Sequence, residues 1–194
     1  KTLMKNKEVL LVASGLNNID YKEEIENYIL SKKPFVMAVN PNVCINKKLI
    51  NVYTVSNPLK LMADSKAYIS LKKPIVLPKI LLTEKLKKKF RDKKIYNFGV
   101  GLNQNSYNFY SNAAIIPRLY TLAYSLSVAT SGKCKSITLA GFEGYGVGSR
   151  RNKIIDELFS LYSLTKGSKK IIAITPTTYP VPRAYVKDLI KWNV

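Results

Sequence analysis

The stretch "ITLAGFEGYGVGSRRN", Ile137 to Asn152, together with "KIIDELFSLYSLTKG", Lys153 to Gly167, decides the fold. Ile137 to Ala140 is a nearly continuous apolar run ended by Gly141, the pattern of a strand covered on both faces. A glycine-rich loop follows, holding one acid, Glu143, and two arginines, Arg150 and Arg151. Beyond it Ile154, Ile155, Leu158, Phe159, Leu161 and Tyr162 recur at the spacing of one helical face, with Gly167 as the expected stop. Strand, glycine loop and amphipathic helix make the unit from which parallel sheets are wound.

The same strand signature recurs along the chain. "EVLLVAS" (Glu8 to Ser14), "PFVMAVN" (Pro34 to Asn40), "NVYTVSN" (Asn51 to Asn57), "PIVLP" (Pro74 to Pro78), "IYNFG" (Ile95 to Gly99) and "KIIAIT" (Lys170 to Thr175) are short, apolar and bounded by Lys, Pro or Gly. Between them lie helical stretches: "YKEEIENYILSK", "PLKLMADSKAYI", "LLTEKLKKKF" and "NAAIIPRLYTLAYSLSVATSG". Pro117 in the last of these is expected to kink the helix or to open its first turn. The alternation predicts an α/β fold, a Rossmann-like, mostly parallel open sheet of about seven strands with helices on both faces. At 194 residues and 46% hydrophobic content, one domain spanning residues 1–194 is expected.

Composition excludes several kinds of chemistry. The chain has no histidine, which removes the usual general base, the commonest metal ligand and every Ser-His or Cys-His nucleophile pair. Cys44 and Cys134 share no CxxC spacing and read as small apolar residues, and the 12 acids form no EF-hand loop, so no metal site and no cofactor are expected in this domain. The 32 Lys and Arg give a net charge of +20, which attracts nucleotides, nucleic acid or an anionic surface; dilute lysine clusters among abundant Asn and Ile read equally as compositional bias. No RNP-like aromatic pattern, KH-type clamp or zinc finger accompanies the charge, so nucleic acid is not an expected partner. No apolar run approaches the roughly 20 residues of a transmembrane helix, and the lysine-flanked start lacks a cleavage site, so a cytoplasmic protein is expected.

In an open parallel sheet, ligands bind beyond the carboxyl ends of the strands. The loops expected there are uniform: "ASGLNN" (Ala13 to Asn18), "NPN" (Asn40 to Asn42), "SNP" (Ser56 to Pro58), "GVGLNQNS" (Gly99 to Ser106), "GFEGYG" (Gly141 to Gly146) and "TPTT" (Thr175 to Thr178). Each such loop alone is ordinary turn chemistry. Together, small backbone-exposing residues and neutral amides suit a nucleotide, with amides reading base and ribose and glycine admitting phosphate to N–H groups. The candidate nucleotide-binding residues are Ser14, Gly15, Asn40, Asn57, Ser111, Gly141, Glu143 and Thr177; Glu143 and Tyr145 are the candidates for catalysis. Glu143 has two open readings: accepting sugar hydroxyls or pairing with Arg150 or Arg151 at the mouth of the crevice, or capping backbone N–H groups of its own loop. "GVGLNQ" is not GxGxxG and "SGLNN" has no following GK, so neither the dinucleotide fingerprint nor the P-loop is present.

"LLVASGLNNI", "MAVNPN", "TVSNP", "YSNAAIIPRLYTLAYSLSVATSGKCKSITLAGFEGY" and "IIAITPTTYPVP" resemble, in order and spacing, the nucleotide-binding fold of the bacterial lipooligosaccharide sialyltransferases. "GFEGYG" with "DELFSLY" and "ITPTTYPVP" is also similar to the tail of bacterial aldolase-like proteins of the hydroxymethylglutaryl-CoA lyase type, often labelled 4-hydroxy-2-oxovalerate aldolase. The sialyltransferase pattern "GNGPSL" falls on Ala13 to Asn18, its donor-contacting asparagines on Asn40 and Asn57, its serine before the long helix on Ser111, and its "SGIDFY" loop on Ala140 to Tyr145. The family's catalytic histidine has no counterpart. The resemblance implies a cytidine phosphate or nucleotide-sugar ligand and an aldolase-like barrel upstream in a longer parent chain of surface-sugar metabolism. The expected function is therefore nucleotide or nucleotide-sugar binding on a glycosyltransferase-like fold. The alternatives are a non-catalytic interaction or regulatory module of the aldolase-like parent, and a charge-driven binder of RNA or an anionic surface.

Overall fold

The computed structural model describes residues 3–15, 20–146 and 148–190. In chain order the elements are β1 (Glu8–Val12), α1 (Lys22–Lys32), β2 (Phe35–Val39), β3 (Val52–Thr54), α2 (Pro58–Ala63), α3 (Ser65–Ser70), β4 (Ile75–Leu77), α4 (Glu84–Lys89), β5 (Ile95–Asn97), β6 (Gly99–Leu102), β7 (Asn108–Phe109), β8 (Ala113–Ile116), α5 (Thr121–Ser131), β9 (Ser136–Ala140), α6 (Arg150–Leu164), β10 (Ile171–Ala173) and α7 (Val186–Ile190). All seven apolar runs become strands of one sheet, in the order β10-β9-β1-β2-β3-β4-β5. Every pair in it is parallel. This is a Rossmann-like α/β fold.

Alternation along the strands divides the core. Val9, Leu11, Met37, Val52, Val76 and Leu139 pack on the face covered by α5 and α6. Leu10, Val12, Ala38, Tyr53, Leu77 and Ala140 face the side covered by α1, α3, α4 and α7. Burial on both faces explains why these strands read as unbroken apolar runs. From β1 the chain winds to β2 through α1 on one face; from β9 it winds the opposite way to β10 through α6 on the other. The direction of winding therefore reverses between β1 and β9, which are hydrogen-bonded neighbours.

Helix α5 is buried at every position from Leu122 to Thr130, because it lies between the large sheet, α6 and a second sheet. Its hydroxyls satisfy themselves locally: Ser125 and Ser127 donate to the carbonyls of Thr121 and Ala123 at 2.7 and 2.9 Å, and Thr130 to Leu126 at 2.8 Å. Ser125 Oγ also meets Thr54 Oγ1 of β3 at 2.7 Å, fixing the helix over the sheet.

The second sheet corrects the sequence reading. "GVGLNQNS" was expected as a loop and Asn112 to Gly132 as one helix; instead β6, β8 and β7 form a three-stranded sheet in the order β6-β8-β7. Pro117 neither kinks nor opens a helix. It ends β8 after Ile116, and α5 begins at Thr121 after the N-cap Tyr120. The apolar run "AAII" carries no period of its own, so it merged in the sequence with the helix behind it. "PLKLMADSKAYI" likewise divides at Asp64 into α2 and α3. Helix α6 stops at Leu164, ahead of Gly167, which takes a positive φ of 88° in the turn beyond.

Candidate functional site

In a sheet of this kind the expected ligand crevice lies where the winding reverses, here at the carboxyl ends of β1 and β9. There the two chains run on past their strands as a pair: Ala13 N–H donates to Ala140 O at 2.9 Å and Gly15 N–H to Gly141 O at 3.2 Å. Glu143 folds back over this pair. A Cβ placed on Gly15 would lie 2.5 Å from Gly141 O and 2.7 Å from Glu143 Oε1, so glycine is required by close approach. Ser14 is exposed beside it, and Leu16, Asn17 and Asn18 lie outside the described residues.

The loop after β9 is held from three sides. Gly141 N–H donates to Thr175 Oγ1 at 2.9 Å, from the end of β10. The Glu143 carbonyl accepts from Thr178 N–H at 2.9 Å and from Thr178 Oγ1 at 3.1 Å. Asn152, in the first turn of α6, closes a two-way clasp on Tyr145, accepting from its N–H and donating to its carbonyl, each at 2.7 Å. Gly144 has φ of 107° and a Cβ there would strike Thr178 Oγ1 at 2.0 Å, so this turn also demands glycine. Tyr145 is 43% exposed, with the Arg151 guanidinium 5.5 Å from its ring centroid.

On the other side of β1, the ends of β2 and β3 supply polar atoms that are not satisfied. Asn40 adopts a left-handed φ of 77°, tolerated by asparagine, and its N–H donates to Thr54 O at 3.2 Å. Among the described residues its Oδ1 is buried without a hydrogen-bond partner, and so is Ser56 Oγ, on a residue only 2% exposed. Asn57 behaves differently. Its Oδ1 caps α2, accepting from Leu59 N–H at 2.9 Å and Lys60 N–H at 3.2 Å.

The structure thus brings together Ser14, Gly15, Gly141 and Glu143, with Asn40 on the adjoining strand ends. Thr177 lies in the loop after β10 and its Oγ1 accepts from Tyr179 N–H at 3.2 Å, a local turn bond. Ser111 does not join them. It sits between β7 and β8 at the amino end of the sheet, lining a cavity of about 290 Å³ with Phe35, Val52 and Ile95. Ser111 also lines a larger groove of about 1130 Å³ beside the carboxyl ends of α5 and α6. Ser56, Thr175 and Thr178 stand in strand-end loops the sequence marks, yet they and Asn152 are absent from its candidate residues, although they position or line the site. The register β10 to β9, Ala173 opposite Leu139, places Thr175 against Gly141, and no sequence pattern announces that pairing.

No family model matches this chain, and no curated protein matches it.

Proposed function

We propose that the crevice between β1 and β9, extending to the ends of β2 and β3, binds a nucleotide or nucleotide-sugar. One observation carries the reading: Asn40 Oδ1 and Ser56 Oγ are buried at neighbouring strand ends with no partner among the described residues. An unsatisfied buried oxygen costs about 1–3 kcal/mol. A ligand offering hydroxyl or amine donors, as ribose and base do, would recover that cost. The paired backbones at Gly15 and Gly141 carry no side chains of their own, and the Glu143 carboxylate lying over Gly15 suits the hydroxyls of a ribose or sugar. The resemblance to the sialyltransferases favours a cytidine phosphate.

The reading is one of binding. Glu143 is the carboxylate nearest the floor, and with no histidine in the chain the group that serves the resembling transferases as base is missing. Calorimetry across the common nucleotides and their sugar conjugates tests the proposal. At least one should bind, and Asn40→Gly, which keeps the left-handed backbone while removing the amide, should weaken it. Ser56→Ala gives a sharper sign. It should weaken the ligand while leaving the melting temperature of the free protein equal or raised, since it deletes an unpaired atom. If no nucleotide binds at millimolar concentration, the crevice is not a nucleotide site.

A further inference from the structure

At the same end of the sheet, the flank formed by β3 and β4 carries an unusual surface. Leu59 and Met62, three residues apart on α2, are 73% and 51% exposed, and Ile80 in the turn after β4 is 84% exposed. The strand ends they follow are neighbours: β3 pairs with β4, and Val55 N–H donates to Val76 O at 3.2 Å. Three large non-aromatic apolar side chains therefore stand in water on elements that leave neighbouring strand ends. Lys60 on α2, Lys79 in the turn after β4 and Lys85 in the first turn of α4 are also exposed. From there the segment Glu84 to Lys94 carries seven Lys and Arg against Glu84 and Asp92 along the edge of the sheet.

The chemistry of this patch selects among anionic partners. Nucleic-acid surfaces combine Arg with aromatic rings that stack on bases. Here the exposed apolar groups are non-aromatic and the charges around them are lysine, whose stems lie along apolar surface while the ammonium stays in the polar layer. That combination matches a lipid headgroup boundary. We propose that this end of the sheet docks on an anionic phospholipid surface, with Leu59, Met62 and Ile80 entering the boundary and Lys60, Lys79 and Lys85 facing lipid phosphates. Among the described residues no helix is long and apolar enough to cross a membrane, and the contact proposed is a surface one. It does not depend on what the crevice binds, although the crevice opens at the same end and would be held near the membrane.

The test is co-sedimentation of the full chain with phosphatidylcholine vesicles, with and without phosphatidylserine. Binding is expected only where phosphatidylserine is present. Leu59→Ser with Ile80→Ser, which changes no charge and touches only exposed side chains, should lower the partition constant about tenfold. Lys60→Gln, Lys79→Gln and Lys85→Gln together should lower it about 100-fold, since each lysine near such a surface is worth about fivefold. The same charge removed at the opposite end of the sheet, by Lys133→Gln, Lys135→Gln and Lys166→Gln, should cost less than about threefold because salt screens distant charge. Wild-type binding by the serine variant, equal losses in the two glutamine variants, or tight binding of single-stranded RNA with none to vesicles would each overturn the proposal.

Discussion

Gly15→Ala is the perturbation whose outcome the geometry fixes most tightly. Gly15 has no positive φ that would penalise alanine, so the effect comes from space alone. The new methyl would sit 2.5 Å from the Gly141 carbonyl oxygen, and 2.7 and 2.9 Å from Glu143 Oε1 and Cδ. The glutamate can swing away; the carbonyl cannot, because Gly141 is tied to Gly15 N–H and, through its own N–H, to Thr175 Oγ1. Overpacking of this kind costs about 1–3 kcal/mol, and prising the two chains apart also weakens a hydrogen bond worth about 1 kcal/mol. Against this, alanine restricts the unfolded chain and returns about 0.4–1 kcal/mol. The net loss is about 2 kcal/mol, which for a chain of this length lowers the melting temperature by about 4–8 °C. Thermal unfolding by circular dichroism reads it, and Gly101→Ala supplies the control, since a Cβ there meets only Ile115 Cγ1 at an ordinary 3.6 Å. Adding Glu143→Ala to Gly15→Ala should recover less than half of the loss, because the carbonyl clash remains. A Gly15→Ala protein as stable as wild type, or a full rescue by the second substitution, would refute the packing described for the crevice floor.

Other expectations concern distinct parts of the molecule. Asn57→Ala removes the cap of α2 and should cost about 1 kcal/mol in denaturant unfolding while leaving nucleotide affinity unchanged. Removing both hydroxyls of the buried pair, with Thr54→Val and Ser125→Ala, should cost less than the sum of the single changes, since each single change leaves one group without its partner across the interface. Burial pushes the Cys134 thiol up from 9.0 to about 11. The folded chain then holds a proton that the unfolded chain loses, so stability should fall as pH rises through that window, and Cys134→Ala should flatten part of the slope. A melting temperature unchanged between those pH values would contradict this.

The large sheet was legible because its inner strands are buried on both faces, and because even the half-exposed edge strands β5 and β10 are short runs bounded by Lys, Pro or Gly. The small sheet was not. Gly99 to Ser106 has the composition of a loop, and its strands owe their existence to tertiary contacts: Tyr124 Oη donating to Phe98 O at 2.7 Å, and Tyr107 and Phe109 packed on Tyr162. The crevice was legible in part, since Gly15, Gly141 and Glu143 stand at strand ends that the fold brings together. Asn57 and Ser56 show the limit: the sequence marks both as strand-end polar residues, and only the helix that follows decides that Asn57 is occupied as a cap. Ser111 was misplaced because β8 moves the start of the helix nine residues along the chain, from Asn112 to Thr121.

The most direct test of the crevice as a nucleotide site is a nuclear magnetic resonance titration of the nitrogen-15-labelled chain with cytidine monophosphate, repeated with the other common nucleotides. Saturable shifts in the amides of Gly15, Asn40, Gly141 and Glu143 are expected for at least one of them. Shifts confined to the groove at residues 105–111 and 164–167, or none with any nucleotide at millimolar concentration, would contradict a nucleotide site in the crevice.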